Sequence, residues 1–221
     1  MKTIVVVAPH SDDETLGAGG YLLKHKDAGD LIYWINVTNA KKEYGYSEAE
    51  IEYWNKTINN VKERIGFTKI YDLGLEPAGL DKLESSKIVR CIKNVIGEIK
   101  PNIVLLPYYG DTHSDHRIVF DAVMAACKPF RCPSIEQILC MEIISETDYA
   151  VSDKGFIPNY FVDISDYIDE KLEVLNLYSS EIDESPFPRN LDAIKGLAKF
   201  RGASCNVHYA EAFRLLNFIE R

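Results

Sequence analysis

The chain has 221 residues, 46% of them hydrophobic, and a formal net charge of −9. That length suits one domain, 1–221, with a sizeable core. Acidity without a Lys/Arg block argues against nucleic acid or an anionic membrane surface as partner. The chain shows no run of about 18 apolar residues and no signal-like leader, so no membrane span is expected. Its five cysteines (Cys91, Cys127, Cys132, Cys140, Cys205) include no CxxC pair. Buried or semi-buried thiols in a reducing cytoplasm are expected.

Ile4 to Ala8 is an apolar, β-branched first strand. It runs into Pro9-His10-Ser11-Asp12-Asp13-Glu14, then Leu16-Gly17-Ala18-Gly19-Gly20 and an amphipathic segment, Tyr21 to Lys26, ending near Ala28-Gly29. Leu31 to Val37 is a second strand, followed by Lys41 to Tyr46, which is either an aromatic lid or a solvated loop. Ser47 caps a helix over Glu48 to Ile65, with Ile51, Trp54, Ile58, Val61 and Ile65 on one face and Gly66 as its stop. Lys69 to Leu73 is a short strand. Lys82 to Ile99 is a helix striped by Ile88, Cys91, Ile92, Val95, Ile96 and Ile99 and ended by Pro101. Ile103 to Leu106 is a fourth, buried strand, and a helix returns over His116 to Cys127. Strands over Glu136 to Ile144 and Tyr160 to Val162, and helices over Ser165 to Tyr178 and Ala193 to Phe200, follow. The turn-rich Glu181 to Pro188 borders the mouth of a site or a subunit contact, which leaves self-association open. The tail, Val207 to Leu215, fits strand or helix.

This rhythm is α/β: a mostly parallel sheet covered on both faces. In such sheets ligands sit beyond the carboxyl ends of the strands, where the strand order reverses. If the first and fourth strands are neighbours, that crevice lies after Ala8 and after Leu106. The first loop carries His10, Asp12, Asp13 and Glu14, and the second, Pro107 to His116, carries Asp111, His113, Asp115 and His116. Carboxylates packed this closely repel one another unless a cation holds them. Acids capping a helix are the plainer alternative, but capping needs neither the preceding imidazole nor two adjacent Asp. The mixed imidazole–carboxylate set suits Zn²⁺, with Fe²⁺, Co²⁺ or Mn²⁺ as alternatives. No cysteine lies in these loops, so a site with an open position for water is expected rather than a closed structural one. Nearby carboxylates would supply a base and a spare His would face an oxyanion. His25 and His208 stand alone; His208 is either a surface or core residue or reaches the site from the tail. The glycines at 17, 19 and 20 lack the full G-x-G-x-x-G order and follow three acids, which disfavours a dinucleotide loop and favours close packing of a helix on the sheet.

Ala8-Pro-His-Ser-Asp-Asp-Glu14 with Leu16-Gly-Ala-Gly-Gly20 resembles the PHPDDE opening of the LmbE-like, or PIG-L, zinc deacetylases. His113-Ser-Asp-His116 matches their HxDH element, Asp111 fits the acidic position before it, and Tyr209-Ala-Glu-Ala-Phe213 is similar to their YAEAF tail. The resemblance implies a Rossmann-like three-layer α/β/α hydrolase that removes N-acetyl groups, mostly from N-acetylglucosamine-containing compounds. It implies His10, Asp13 and His116 as zinc ligands. Asp12 would be the general base, His113 the group that stabilises the oxyanion or protonates the leaving amine, and Asp115 its orienting partner. Spacing alone leaves open whether Asp12 or Asp13 is the ligand. Ser11 replaces the usual Pro, the Arg and Glu common in the helix before Gly66 are displaced, and Asn206 stands near a usual Gly. A receiver-like Mg²⁺-binding phosphoacceptor module and a non-catalytic ligand-binding relative are the rival readings.

Overall fold

The computed structural model describes residues 1–220. Strand β1 (Thr3–Ala8) lies at its centre, with Ile4 to Ala8 fully buried. It pairs in parallel with β2 (Leu31–Thr38) on one edge and β4 (Ile103–Leu106) on the other. The parallel part continues through β3 (Lys69–Leu75) beyond β2 and β5 (Gln137–Met141) beyond β4. The tail is a strand, β7 (Ala210–Phe218), antiparallel to β5, and β6 (Tyr160–Asp163) pairs antiparallel on its far edge. The order is β3-β2-β1-β4-β5-β7-β6, so the expected neighbours β1 and β4 flank the reversal point.

Alternation along β1 divides the core in two. Ile4, Val6 and Ala8 face one layer with helices α1 (Asp13–Asp27), α2 (Glu48–Ile65), α5 (Ile168–Leu175) and α6 (Leu191–Cys205). Val5 and Val7 face the other, with α3 (Ser85–Ile99) and α4 (Ser114–Ala126). The result is the expected three-layer α/β/α arrangement.

Helix α2 has the expected bounds because both ends are written locally. Ser47 and Glu50 form a reciprocal capping box, and Gly66 takes φ 78° at the stop. Elsewhere tertiary contacts move the ends. Helix α3 starts at Ser85 rather than Lys82, because Leu80 to Lys82 form a short 3₁₀ turn whose Leu80 N–H is held by Asp115. Strand β5 stops at Met141 rather than Ile144, because the Ile143 N–H bonds the Thr147 hydroxyl instead of a strand.

Helix α1 begins at Asp13, earlier than its apolar pattern suggests, and breaks at Ala18 (φ −150°, ψ 15°). A break strands backbone donors and acceptors. The Glu211 carboxylate accepts from Gly20 N–H (2.9 Å) and Tyr21 N–H (2.7 Å). Lys171 Nζ donates to Leu16 C=O (2.8 Å) and to Glu211 (2.7 Å). The Glu of the tail motif therefore re-caps α1. The glycines do pack the helix closely: a Cβ on Gly17 would come within 2.7 Å of the Met141 side chain, and one on Gly20 within 2.8 Å of Ile164.

All five cysteines are free; Cys127, Cys132 and Cys140 are buried, whereas Cys205 is exposed, against expectation. Among the described residues no helix is long and apolar enough to cross a membrane. The buried Lys171–Glu211 pair gives a stability prediction. Lys171→Met strands a buried carboxylate and should cost about 3–5 kcal/mol in urea unfolding, with part recovered by adding Glu211→Gln.

Candidate metal centre

The β1 and β4 ends stand side by side, and the loops after them converge. All three imidazoles meet there: ring centroids are 4.6 Å apart for His10 and His113, 5.4 Å for His10 and His116, and 5.5 Å for His113 and His116.

Asp12 sits at φ 151°, ψ −28°, a backbone state that side chains rarely adopt. Its N–H donates to Glu14 (3.1 Å), and its carbonyl starts α1 by accepting from Thr15 and Leu16. Glu14 is itself buried and takes hydrogen bonds from Tyr178 Oη (2.7 Å) and Thr15 Oγ1. Burial raises its carboxyl to about 7. This support turns the two adjacent aspartates in different directions. Asp13 Oδ2 lies 3.4 Å from His10 Nδ1 and 3.3 Å from His116 Nε2, and accepts His10 N–H at 2.8 Å. Asp12 Oδ2 instead accepts from Arg189 Nη1 at 2.7 Å.

Each imidazole has a second tie. His116 Nδ1 donates to Asp111 (2.8 Å), which also accepts from Thr147 Oγ1 (2.8 Å). His10 Nε2 meets Asp115 at 3.1 Å. Asp115 is fully buried and accepts from the Ala78 (2.8 Å) and Leu80 (3.2 Å) N–H groups. His113 caps α4, its Nδ1 accepting the Asp115 N–H at 3.1 Å. The Asp115 carboxylate thus bonds His10, while its hydrogen bond to His113 runs through the backbone.

The field follows from this arrangement. Burial opposes charge on His10, but bonds to Asp115 and Asp13 outweigh it and raise the ring to about 9. Burial likewise opposes charge on His116; Asp13 and Asp111 raise it to about 10. Asp13 is held well below the carboxylate range by those imidazoles despite its burial. Asp12 is pushed well up by burial and the Asp13 charge, with Arg189 working against the shift. His113 is lowered to about 4 by burial and the charges of His10 and His116, which outweigh the opposite pull of Asp115 and Asp13.

Among the described residues two sets of three could hold an ion: His10, Asp13 and His116, or His10, His113 and Asp115, each with donor atoms within 4.8 Å of one another. The first faces a cavity of about 480 Å³, whose lining includes all three residues. Asp115 does not line that cavity, and two backbone N–H groups occupy its carboxylate. The first set also has the outer carboxylate, Asp111 on His116, that typically orients a ligating imidazole. Borderline nitrogen donors with one carboxylate suit zinc or a neighbouring divalent metal.

Arg189 escaped the sequence reading. It bonds Asp12, Glu181 (3.2 Å) and Ser145 Oγ (2.9 Å) and stands 4.0 Å from Glu146. No spacing marks it, because it lies far along the chain from both loops. Glu146 follows β5 at the same sheet edge, and the strand-end rule could have found it. Ser11, in place of Pro, donates to Asn36 (3.1 Å) and ties the loop to β2. His208 is exposed and does not line the cavity. Of the 41–46 loop, Tyr46 lines it; of 181–188, Glu181 does.

An α/β/α sheet with an imidazole–carboxylate cluster at its reversal point defines a protein of the doubly wound class whose candidate site lies at the carboxyl edge of its strands. The model of the PIG-L family, GlcNAc-PI de-N-acetylase, matches residues 5–127, which hold both loops, and the chain belongs to that deacetylase family. It is 27% identical over 233 residues to diacetylchitobiose deacetylase of Thermococcus kodakarensis, covering 98% of this chain and 84% of that one. Its fold is similar to that of a conserved protein from Thermus thermophilus (TM-score 0.78, 24% identity, 100% of this chain and 97% of the other). It is also similar to that of N,N'-diacetylchitobiose deacetylase from Pyrococcus horikoshii (TM-score 0.74, 22% identity, 98% and 84%).

Thr147 links the site to β5. Thr147→Val leaves the Ile143 N–H and one Asp111 oxygen unpaired in a buried place. It should lower stability by about 1–3 kcal/mol, read as the free energy of urea unfolding.

Proposed function

We propose that this protein is a metal-dependent N-deacetylase acting on a small N-acetylated sugar or sugar conjugate, with His10, Asp13 and His116 holding the metal. The observation that carries this is the His10/Asp13/His116 cluster opening onto the cavity beside Asp12. Zinc is the ion favoured by this donor set, and when bound it supplies Lewis acidity and lowers the pKa of a water to about 7.

The protein's own groups account for the rest. Asp12 is ordered by Arg189 outside the ligand set, which suits it to take a proton from the attacking water and pass it to the leaving amine. A new C–O bond forms, the C–N bond of the amide breaks, and acetate and amine leave. His113 Nδ1 accepts the Asp115 N–H, so the proton of the neutral ring is on Nε2. That N–H can donate to the carbonyl oxygen as it gains charge. Asp115 acts on both rings, by its carboxylate on His10 and by its backbone N–H on His113. The aromatic lining and the diacetylchitobiose deacetylases among the similar proteins support an acetamido sugar as substrate. The buried free thiols fit a cytoplasmic setting.

The test is release of free amine from N-acetylglucosamine conjugates, followed with fluorescamine. Asp12→Asn should keep its metal and lose roughly 10²–10⁴-fold in kcat. His116→Ala should lose the metal, measured by elemental analysis of the purified variant; a metal-replete His116→Ala protein would remove that residue from the ligand set. Asp111→Asn should weaken metal affinity roughly 10–100-fold, read by competition with a chelator.

A further inference from the structure

Beyond the reacting centre the cavity has a second wall. Tyr46, Glu50, Tyr53 and Trp54 supply one side and Ser180 and Glu181 the other. The wall is braced: Tyr53 Oη accepts from Ser180 N–H (3.1 Å) and Ser180 Oγ (3.2 Å), which ties α2 to the 180–189 segment. Trp54 packs edge-on to Tyr53 at 5.4 Å and lies 6.4 Å from the Tyr178 ring. At about 480 Å³ the cavity has room for more than one sugar ring.

The charge on this wall has one sign. The Tyr46 phenol is raised by burial and by the charges of Glu50, Glu181 and Glu76. Arg189 is the one Lys or Arg side chain among the lining residues, and it is spent: Nη1 is shared by Asp12 (2.7 Å) and Glu181 (3.2 Å), Nη2 faces Glu146 at 4.0 Å, and Nε bonds Ser145. A phosphate or carboxylate entering here would have to take Arg189 from three acids while facing Glu50 and Glu181. An uncharged pyranose would lay its C–H face on Trp54 or Tyr53, and an amino sugar would also meet carboxylates.

We infer that this aromatic and acidic wall is a subsite for an uncharged or amine-bearing sugar ring attached to the reacting acetamido sugar, and that it turns away substrates bearing phosphate or carboxylate at that place. The inference rests on the deacetylase reading of the adjoining metal centre.

The metal-loaded enzyme is assayed on N,N'-diacetylchitobiose, N-acetylglucosamine and N-acetylglucosamine 1-phosphate. The disaccharide should exceed the sugar phosphate by at least roughly tenfold in kcat/KM, with the gap narrowing as salt screens the wall. Trp54→Ala should erase the disaccharide's KM advantage over the monosaccharide, an effect of roughly fivefold to tenfold, and Trp54→Phe should keep most of it. Equal or better use of the sugar phosphate, or a KM ratio untouched in Trp54→Ala, overturns the inference. Calorimetry on Asp12→Asn separates it from the reaction itself. If none of the three compounds is hydrolysed but the disaccharide binds more tightly than the sugar phosphate, the subsite stands and the deacetylase reading falls. If no saccharide binds, the subsite falls too.

Discussion

Two adjacent aspartates at the end of a buried strand need positive charge beside them, and the molecule gives each its own. Asp13 faces the imidazoles of His10 and His116, while Asp12 is drawn the other way by Arg189. Were both carboxylates to face one point, repulsion would neutralise one of them. The unusual backbone at Asp12 sets that divergence, and buried Glu14, held by Tyr178 and Thr15, fixes the backbone. Local strain of this kind persists only where the surroundings over-determine it.

Outer layers then orient the imidazoles. Asp111 is held by Thr147, and Thr147 by the first turn beyond β5. Asp115 is held by the backbone before α3. Both anchors come from segments that leave the regular pattern of strand or helix, so the irregular ends of β5 and α3 serve the site rather than the core. Behind it, Lys171 and Glu211 repair the break in α1 that follows the acid-bearing turn. The tail motif acts on the centre through helix geometry, not by contact.

The PIG-L family relation puts both site loops within a deacetylase family's matched region. Helix α2 offers Tyr53 and Trp54 to the cavity that the centre faces. A receiver module has no use for three clustered imidazoles.

The sequence by itself determined the parallel core, the ends of α2 and the two loops that meet, because these depend on local periodicity, caps and the rule that ligands sit where strand order reverses. It also determined that His10, Asp12 and Asp13 belong near Asp111, His113 and His116, given strands β1 and β4 side by side; the choice of His10, Asp13 and His116 among them came from the family resemblance. Only the tertiary structure decided which way the Asp12 and Asp13 carboxylates turn, since that involves Arg189, 177 residues away. The same holds for Asp115, whose carboxylate goes to His10 because backbone N–H groups from the loop before α3 aim it there. It holds again for the tail, whose weak alternation became a strand once β5 and β6 offered edges to pair with. Charge pairing and edge pairing act between segments far apart in the chain, and no local pattern records them.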